Sequence, residues 1–152
     1  MQYDLPTGWE KNSFFKTSWE SPGGSDVCPC AVAVNSLKIP AKDVPDYIYV
    51  VIYPSDKKYV NTEKRQNLWR YQFIPAAKSD VVKTEYMNWS RQISKLKPLG
   101  TYENKFKDYS VYRLYSDAES THYVMYVLGK ATHLQKYKAE INTIINSFKS
   151  IK

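Results

Sequence analysis

The chain has 152 residues, 43% of them hydrophobic and 24% charged, and 22 basic against 15 acidic residues leave a formal charge of +7. That length suits one domain spanning 1–152 with a sizeable core and excludes wholesale disorder. The longest strongly apolar runs, Tyr47–Pro54 and Tyr123–Gly129, fall far short of the roughly 20 residues of a membrane-crossing helix, so no membrane span is expected.

The opening carries Leu5, Trp9, Phe14, Phe15 and Trp19, too many large apolar groups for a loose tail, and reads as an extended piece or hairpin at the edge of the core. Ser21–Ser25, rich in Pro and Gly, is a loop. Ala31–Leu37 and Tyr47–Tyr53 are rich in β-branched or aromatic residues and are bounded by Pro40, Pro45 and Pro54, so each reads as a strand. Leu68–Ile74 alternates, with Trp69, Tyr71 and Phe73 on one face, as a half-buried strand does. Farther on, Val82, Tyr86, Trp89, Ile93 and Leu96 recur at steps of four and three. That spacing predicts an amphipathic helix over about 79–97, capped by Ser79 and stopped by Pro98 and Gly100. Asp108–Tyr115 and His122–Leu128 read as two antiparallel strands joined by a short turn. A last helix over about 131–149 places Leu134, Tyr137, Ile141, Ile144, Ile145 and Phe148 on one stripe. Together these elements predict an α+β domain with a mostly antiparallel sheet and two main helices.

Few residues point to chemistry. Cys28-Pro29-Cys30 could hold a soft metal or form a strained disulfide, but neither His122 nor His133 stands at metal-ligand spacing from the pair, and free thiols or a loop staple explain it better. His122, at a strand entrance, could act as a base, although a hydrogen bond at the sheet rim is the favoured reading. No Gly-rich phosphate loop, paired-carboxylate pattern or nucleophile elbow is present, so neither a catalytic residue nor a cofactor is assigned. Aromatic and basic residues interleave around Arg70 and in Tyr109–Arg113, which makes Arg70, Tyr112 and Arg113 the candidates for contact with a partner. Strand packing produces the same alternation. The lysines are scattered without a dense block, which favours a solvated basic surface over a nucleic-acid footprint.

The opening Leu5, Pro6, Gly8 and Trp9, the mid-chain amphipathic helix, the strand Tyr123–Val127 and the closing Ile144–Lys149 together resemble the PsbP-like superfamily. The resemblance implies an α/β/α sandwich with helices on both faces of an antiparallel sheet. It also implies a scaffold that binds other proteins, without a shared active site, as in an extrinsic subunit of the oxygen-evolving complex, a Ran-binding import factor and bacterial exported lipoproteins.

Two histories fit the start of the chain, where Met1 is followed by Asp4, Pro6 and Gly8 without the basic and apolar stretches of a signal peptide. Either the protein is cytoplasmic, or an export signal or lipid anchor has been trimmed. The abrupt entry into Leu5–Trp9 favours trimming, and with it a periplasmic or cell-envelope location. The expected function is therefore non-enzymatic protein binding. The alternatives are an intracellular nucleic-acid-binding or Ran-type adaptor, and a small hydrolase with a site near His122.

Overall fold

The computed structural model describes residues 1–12, 33–43, 45–55, 71–98, 108–117 and 122–150; side chains are described for all of these except 12, 55, 71–78, 97 and 98. Seven strands form one antiparallel sheet: β1 (Trp9–Asn12), β2 (Ala33–Ile39), β3 (Asp46–Ser55), β4 (Tyr71–Lys83), β5 (Asn88–Pro98), β6 (Tyr109–Ser116) and β7 (His122–Lys130). Their order across the sheet is β1-β2-β3-β7-β6-β5-β4. Two meanders, β1 to β3 and β4 to β7, are thus joined where β3 lies beside β7, with Val50 opposite Val127 and Ile52 opposite Met125.

Two short helices follow, α1 (Ala131–Lys136) and α2 (Lys138–Ser147), separated at Tyr137, whose φ of −101° and ψ of 22° depart from helical values. The closing stripe therefore folds as two pieces. Leu134, Ile141, Ile144, Ile145 and Phe148 are all buried against Ile48, Val50, Ile52, Met125 and Val127 on one face of the sheet. Gly129 makes the tight entry possible. A Cβ there would meet Leu134 Cδ2 at 3.0 Å and Ile48 Cγ1 at 3.2 Å, so any side chain would have to push those two buried groups back by a few tenths of an ångström.

The structure corrects the expected architecture. Residues 79–97 are not a helix; they are most of the β4–β5 hairpin, in which Val82 faces Trp89 and Asp80 faces Arg91. The turn is closed by Thr84, whose hydroxyl donates to the Met87 carbonyl at 2.8 Å and accepts from the Met87 N–H at 3.1 Å. The spacing that suggested a helical stripe is shared out differently. Val82, Trp89 and Ile93 share the helix-covered side by strand alternation and register, Leu96 packs on the opposite side, and Tyr86 lies in the turn.

Nor is the molecule a sandwich with a helical layer on each side. Both described helices pack on the same face, giving a mainly-β fold with a small helical cover. The opposite face holds a second apolar cluster of Val34, Val51, Tyr53, Leu96, Tyr109, Val111, Tyr115, Val124, Tyr126 and Leu128, drawn among the described residues from strands alone. The central strand β7 is buried on both sides, which explains its nearly unbroken apolar sequence.

The amino-terminal residues tie the layers together. Gln2 and Lys149 exchange two backbone hydrogen bonds of 2.9 and 2.8 Å, the Tyr3 hydroxyl donates to Asn35 Oδ1, and the Trp9 indole N–H donates to Glu140 Oε1. Gly8 enters β1 at a φ of +93°, a left-handed conformation that favours glycine.

Candidate protein-binding surface

On the helix-covered face, the buried core is centred on β1, β2, β3 and β7, with Trp89 and Leu114 at its margin. Beyond them, over β4, β5 and β6, the same face carries Asp80, Val82, Arg91, Ile93 and Tyr112, each only half-buried. Strand register sets their neighbours: Asp80 faces Arg91, Arg91 faces Leu114, and Ile93 faces Tyr112. The result is a shelf beside the helices, apolar at Val82, Ile93 and Tyr112.

Arg91 fixes the middle of the shelf. Its Nε and Nη2 reach the two oxygens of Asp80 in a forked pair, with Nε to Oδ1 at 2.9 Å, and its guanidinium carbon lies 5.7 Å from the centre of the Tyr112 ring. Hydrogen bonding to the Asp80 carboxylate favours the charged guanidinium further and outweighs the opposing effect of burial. Such a fork leaves few rotamers to freeze when a partner arrives. At the hairpin tip stands Tyr86, 46% exposed, with the Lys149 ammonium 5.2 Å from its ring centre, and Val81 on the other side of β4 is 61% exposed. These are the two exposed large hydrophobic residues among those described, and both belong to the one hairpin.

A second polar cluster lies at the end of the sheet where β3 begins. Tyr109 donates its hydroxyl to Asp46 Oδ1, which also accepts the Tyr47 N–H at 3.0 Å. Lys130 Nζ lies 3.0 Å and His133 Nδ1 3.4 Å from Asp46 Oδ2. Burial works against the Asp46 carboxylate, but the Tyr109 hydroxyl, the Lys130 ammonium and the Tyr47 N–H outweigh it and hold the group below its ordinary value of 3.8. Burial, then the bond to this carboxylate, pushes the Tyr109 hydroxyl well above its ordinary 10.0. The cluster pins β3, β6, β7 and α1 together.

The sequence candidates fare unevenly. Cys28, Cys30 and Arg70 lie outside the described residues. Tyr112 is on the shelf, whereas Arg113, its neighbour, points to the opposite face, where it is buried and donates to Ser94 Oγ at 3.0 Å. Tyr112 and Arg113 therefore do not form one stacking surface. His122 is half-buried with Nδ1 3.2 Å from the Ser116 carbonyl oxygen; since a carbonyl only accepts, Nδ1 carries the proton. Asp80, Val82, Arg91 and Ile93 were missed as a set because a helical reading of 79–97 turns Val82 and Ile93 into a buried stripe and puts Asp80 and Arg91 on the opposite side, whereas strand alternation gathers all four on one face. Asp46 had no motif to mark it, since only the folded sheet brings its carboxylate to Lys130.

The fold and this surface define a mainly-β domain with one helix-covered face. No family model matches the chain, and no curated protein matches it. Among solved structures it is similar to the protein of unknown function PA94 from Pseudomonas aeruginosa, described provisionally as a regulator. The two share 11% identity at a TM-score of 0.52, covering 78% of this chain and 83% of that one. At that identity the likeness is one of fold. Among the described residues no helix is long and apolar enough to cross a membrane, and no group of three or more His, Cys, Asp or Glu is placed to hold a metal ion.

Proposed function

We propose that this chain is a non-enzymatic protein-binding domain whose partner docks on the shelf over β4, β5 and β6. The observation that carries the reading is the half-buried apolar and aromatic set of Val82, Ile93 and Tyr112 around the prearranged Arg91–Asp80 fork. Aromatic and arginine anchors of this kind dominate binding energy at protein interfaces. The reading is also supported by the internal engagement of the groups best suited to chemistry: Asp46 with Tyr109 and Lys130, Asp80 with Arg91, and His122 with the Ser116 carbonyl. Kinship with the PsbP-like proteins, and with it a life outside the cytoplasm behind a lipid anchor, rests on the sequence strings alone; the sandwich they imply is not the fold of this chain.

The test is site-specific photocrosslinking in the cells that make the protein, with the crosslinking residue at position 112 and, as control, at position 42, exposed in the connection between β2 and β3. A single identifiable protein is expected from position 112 only, lost on Val82→Asp while the melting profile is kept. Equal capture at both positions, or capture indifferent to Val82→Asp, removes the shelf as the docking surface. Capture of nucleic acid in place of protein would replace the reading with the nucleic-acid one.

A further inference from the structure

The dimensions and charge of the shelf restrict what fits it, and this inference rests on the protein-binding reading above. Three neighbouring strands span about 10 Å from β4 to β6, while an α-helix with its side chains is about 10–12 Å across. From the row of Val82 and Trp89 to the row of Lys95 there are six residue steps along β5, or about 20 Å, which a helix covers in about thirteen residues. Two strands or a flat loop would leave the upper part of that space unfilled, because α1 and α2 already set the height of the layer next to it.

Charge narrows the occupant further. Asp80 is the carboxylate on this surface among the described residues, and it is already paired with Arg91. Lys95 is exposed at one end, on the same side as Arg91 and Ile93 by strand alternation, and Lys149 stands by Tyr86 at the other. The exposed Glu85 shares the turn with Tyr86, so of the two ends the one at Lys95 is the more clearly basic. The shelf thus carries apolar groups, Val82 on one side and Ile93 with Tyr112 on the other, about the neutralised Asp80–Arg91 pair, with a lysine toward each end.

We infer that the shelf receives an amphipathic helix of a partner protein, about thirteen residues long, lying along β4 and β5. Its apolar stripe rests on Val82, Ile93 and Tyr112, and its carboxylates lie toward Lys95 and Lys149. Helix-in-groove recognition of this type reads apolar anchors at i, i+3, i+4 and i+7, and the end charges fix direction and register. The bound helix would extend the existing layer of α1 and α2 across the rest of the sheet.

The probe is a 16-residue peptide with leucines at i, i+3, i+4, i+7 spacing and glutamates flanking the stripe, compared with the same peptide carrying lysines there. Each is titrated into the isotopically labelled full chain and followed by amide chemical shifts. The glutamate peptide is expected to shift Val82, Arg91–Lys95 and Tyr112 and to bind at least tenfold more tightly than the lysine peptide. Lys95→Glu should reduce or invert that preference, and Val82→Asp should abolish binding. If Val82→Asp fails to fold, Lys95→Glu, at an exposed position, still decides the matter. Equal affinities, shifts confined to other strands, or no binding at millimolar peptide would overturn the inference. Crosslinking from position 112 without peptide binding removes the acidic helix but keeps the protein-binding surface; failure of both removes both.

Discussion

Trp89 and Phe148 show how differently two fully buried aromatic rings contribute. Their rings meet edge to face with centroids 5.3 Å apart, and Phe148 also meets Tyr123 at 5.0 Å and stacks with Tyr3 at 6.3 Å. Phe148 therefore joins the end of α2 to the sheet and the amino-terminal segment. Trp89 brings area but also a buried indole N–H without a hydrogen-bond partner, a group that costs about 1–3 kcal/mol to desolvate. Phe148→Ala is expected to cost about 3–5 kcal/mol, whereas Trp89→Phe, which removes the unsatisfied donor along with some ring area, should cost only about 1–2 kcal/mol. Urea unfolding midpoints of the two variants would check the contrast. Asp46 and Tyr109 give a pH dependence with a defined sign. Because the folded carboxylate of Asp46 titrates below 3.8, its contribution is present above that value and is lost as pH falls through the folded one. Tyr109 is raised, so its contribution is complete below pH 10 and declines above it as the unfolded tyrosine ionises. Asp46→Asn should flatten the acid limb of stability between about pH 5 and 3, and Tyr109→Phe the alkaline limb, in urea titrations at each pH.

The β4–β5 hairpin is the element on which sequence and structure part. Val82, Tyr86, Trp89, Ile93 and Leu96 satisfy a helical period, and no Gly, Pro or Asn-Gly pair marks the reversal at 84–87. The work of the turn falls to Thr84, a residue whose hydroxyl folds back on the backbone without leaving a strong sequence signal. Alternation in Trp89–Leu96, large residues at odd positions and serine or glutamine at 90, 92 and 94, was the available sign of a strand, and the helical period masked it. Strands with bulky β-branched or aromatic runs, such as Tyr47–Tyr53 and His122–Leu128, were legible because little else accommodates such runs. The candidate surface inherited the same division. Tyr112 could be singled out from a well-marked strand, but its companions across the sheet became visible only once the hairpin was in register. Thr84→Ala is expected to destabilise the hairpin by about 1 kcal/mol and to speed amide hydrogen exchange at Thr84, whose N–H bonds the Met87 carbonyl at 3.0 Å. Exchange in β3 and β7 should change far less, which hydrogen-exchange mass spectrometry can resolve.

For the molecule as a whole, the decisive contact is the β3–β7 pairing, which brings Tyr49–Ser55 against residues more than sixty positions later in the chain. Each meander can form from neighbouring strands, but the continuous sheet and both apolar clusters require that distant closure. Folding is accordingly expected in about milliseconds to seconds, the range of domains ruled by non-local pairing. Substitutions at the seam, such as Val50→Ala, should slow refolding more than Leu37→Ala near the β1 edge; stopped-flow refolding would measure both. The backbone bridge between Gln2 and Lys149 carries a different consequence. Because the two extremities of the described fold lie side by side, a few glycines would suffice to link them, and the polypeptide could be reopened at Glu85 in the hairpin tip. Such a rewired ring would keep every strand neighbour while β5 to β7 are synthesised first and β4 last.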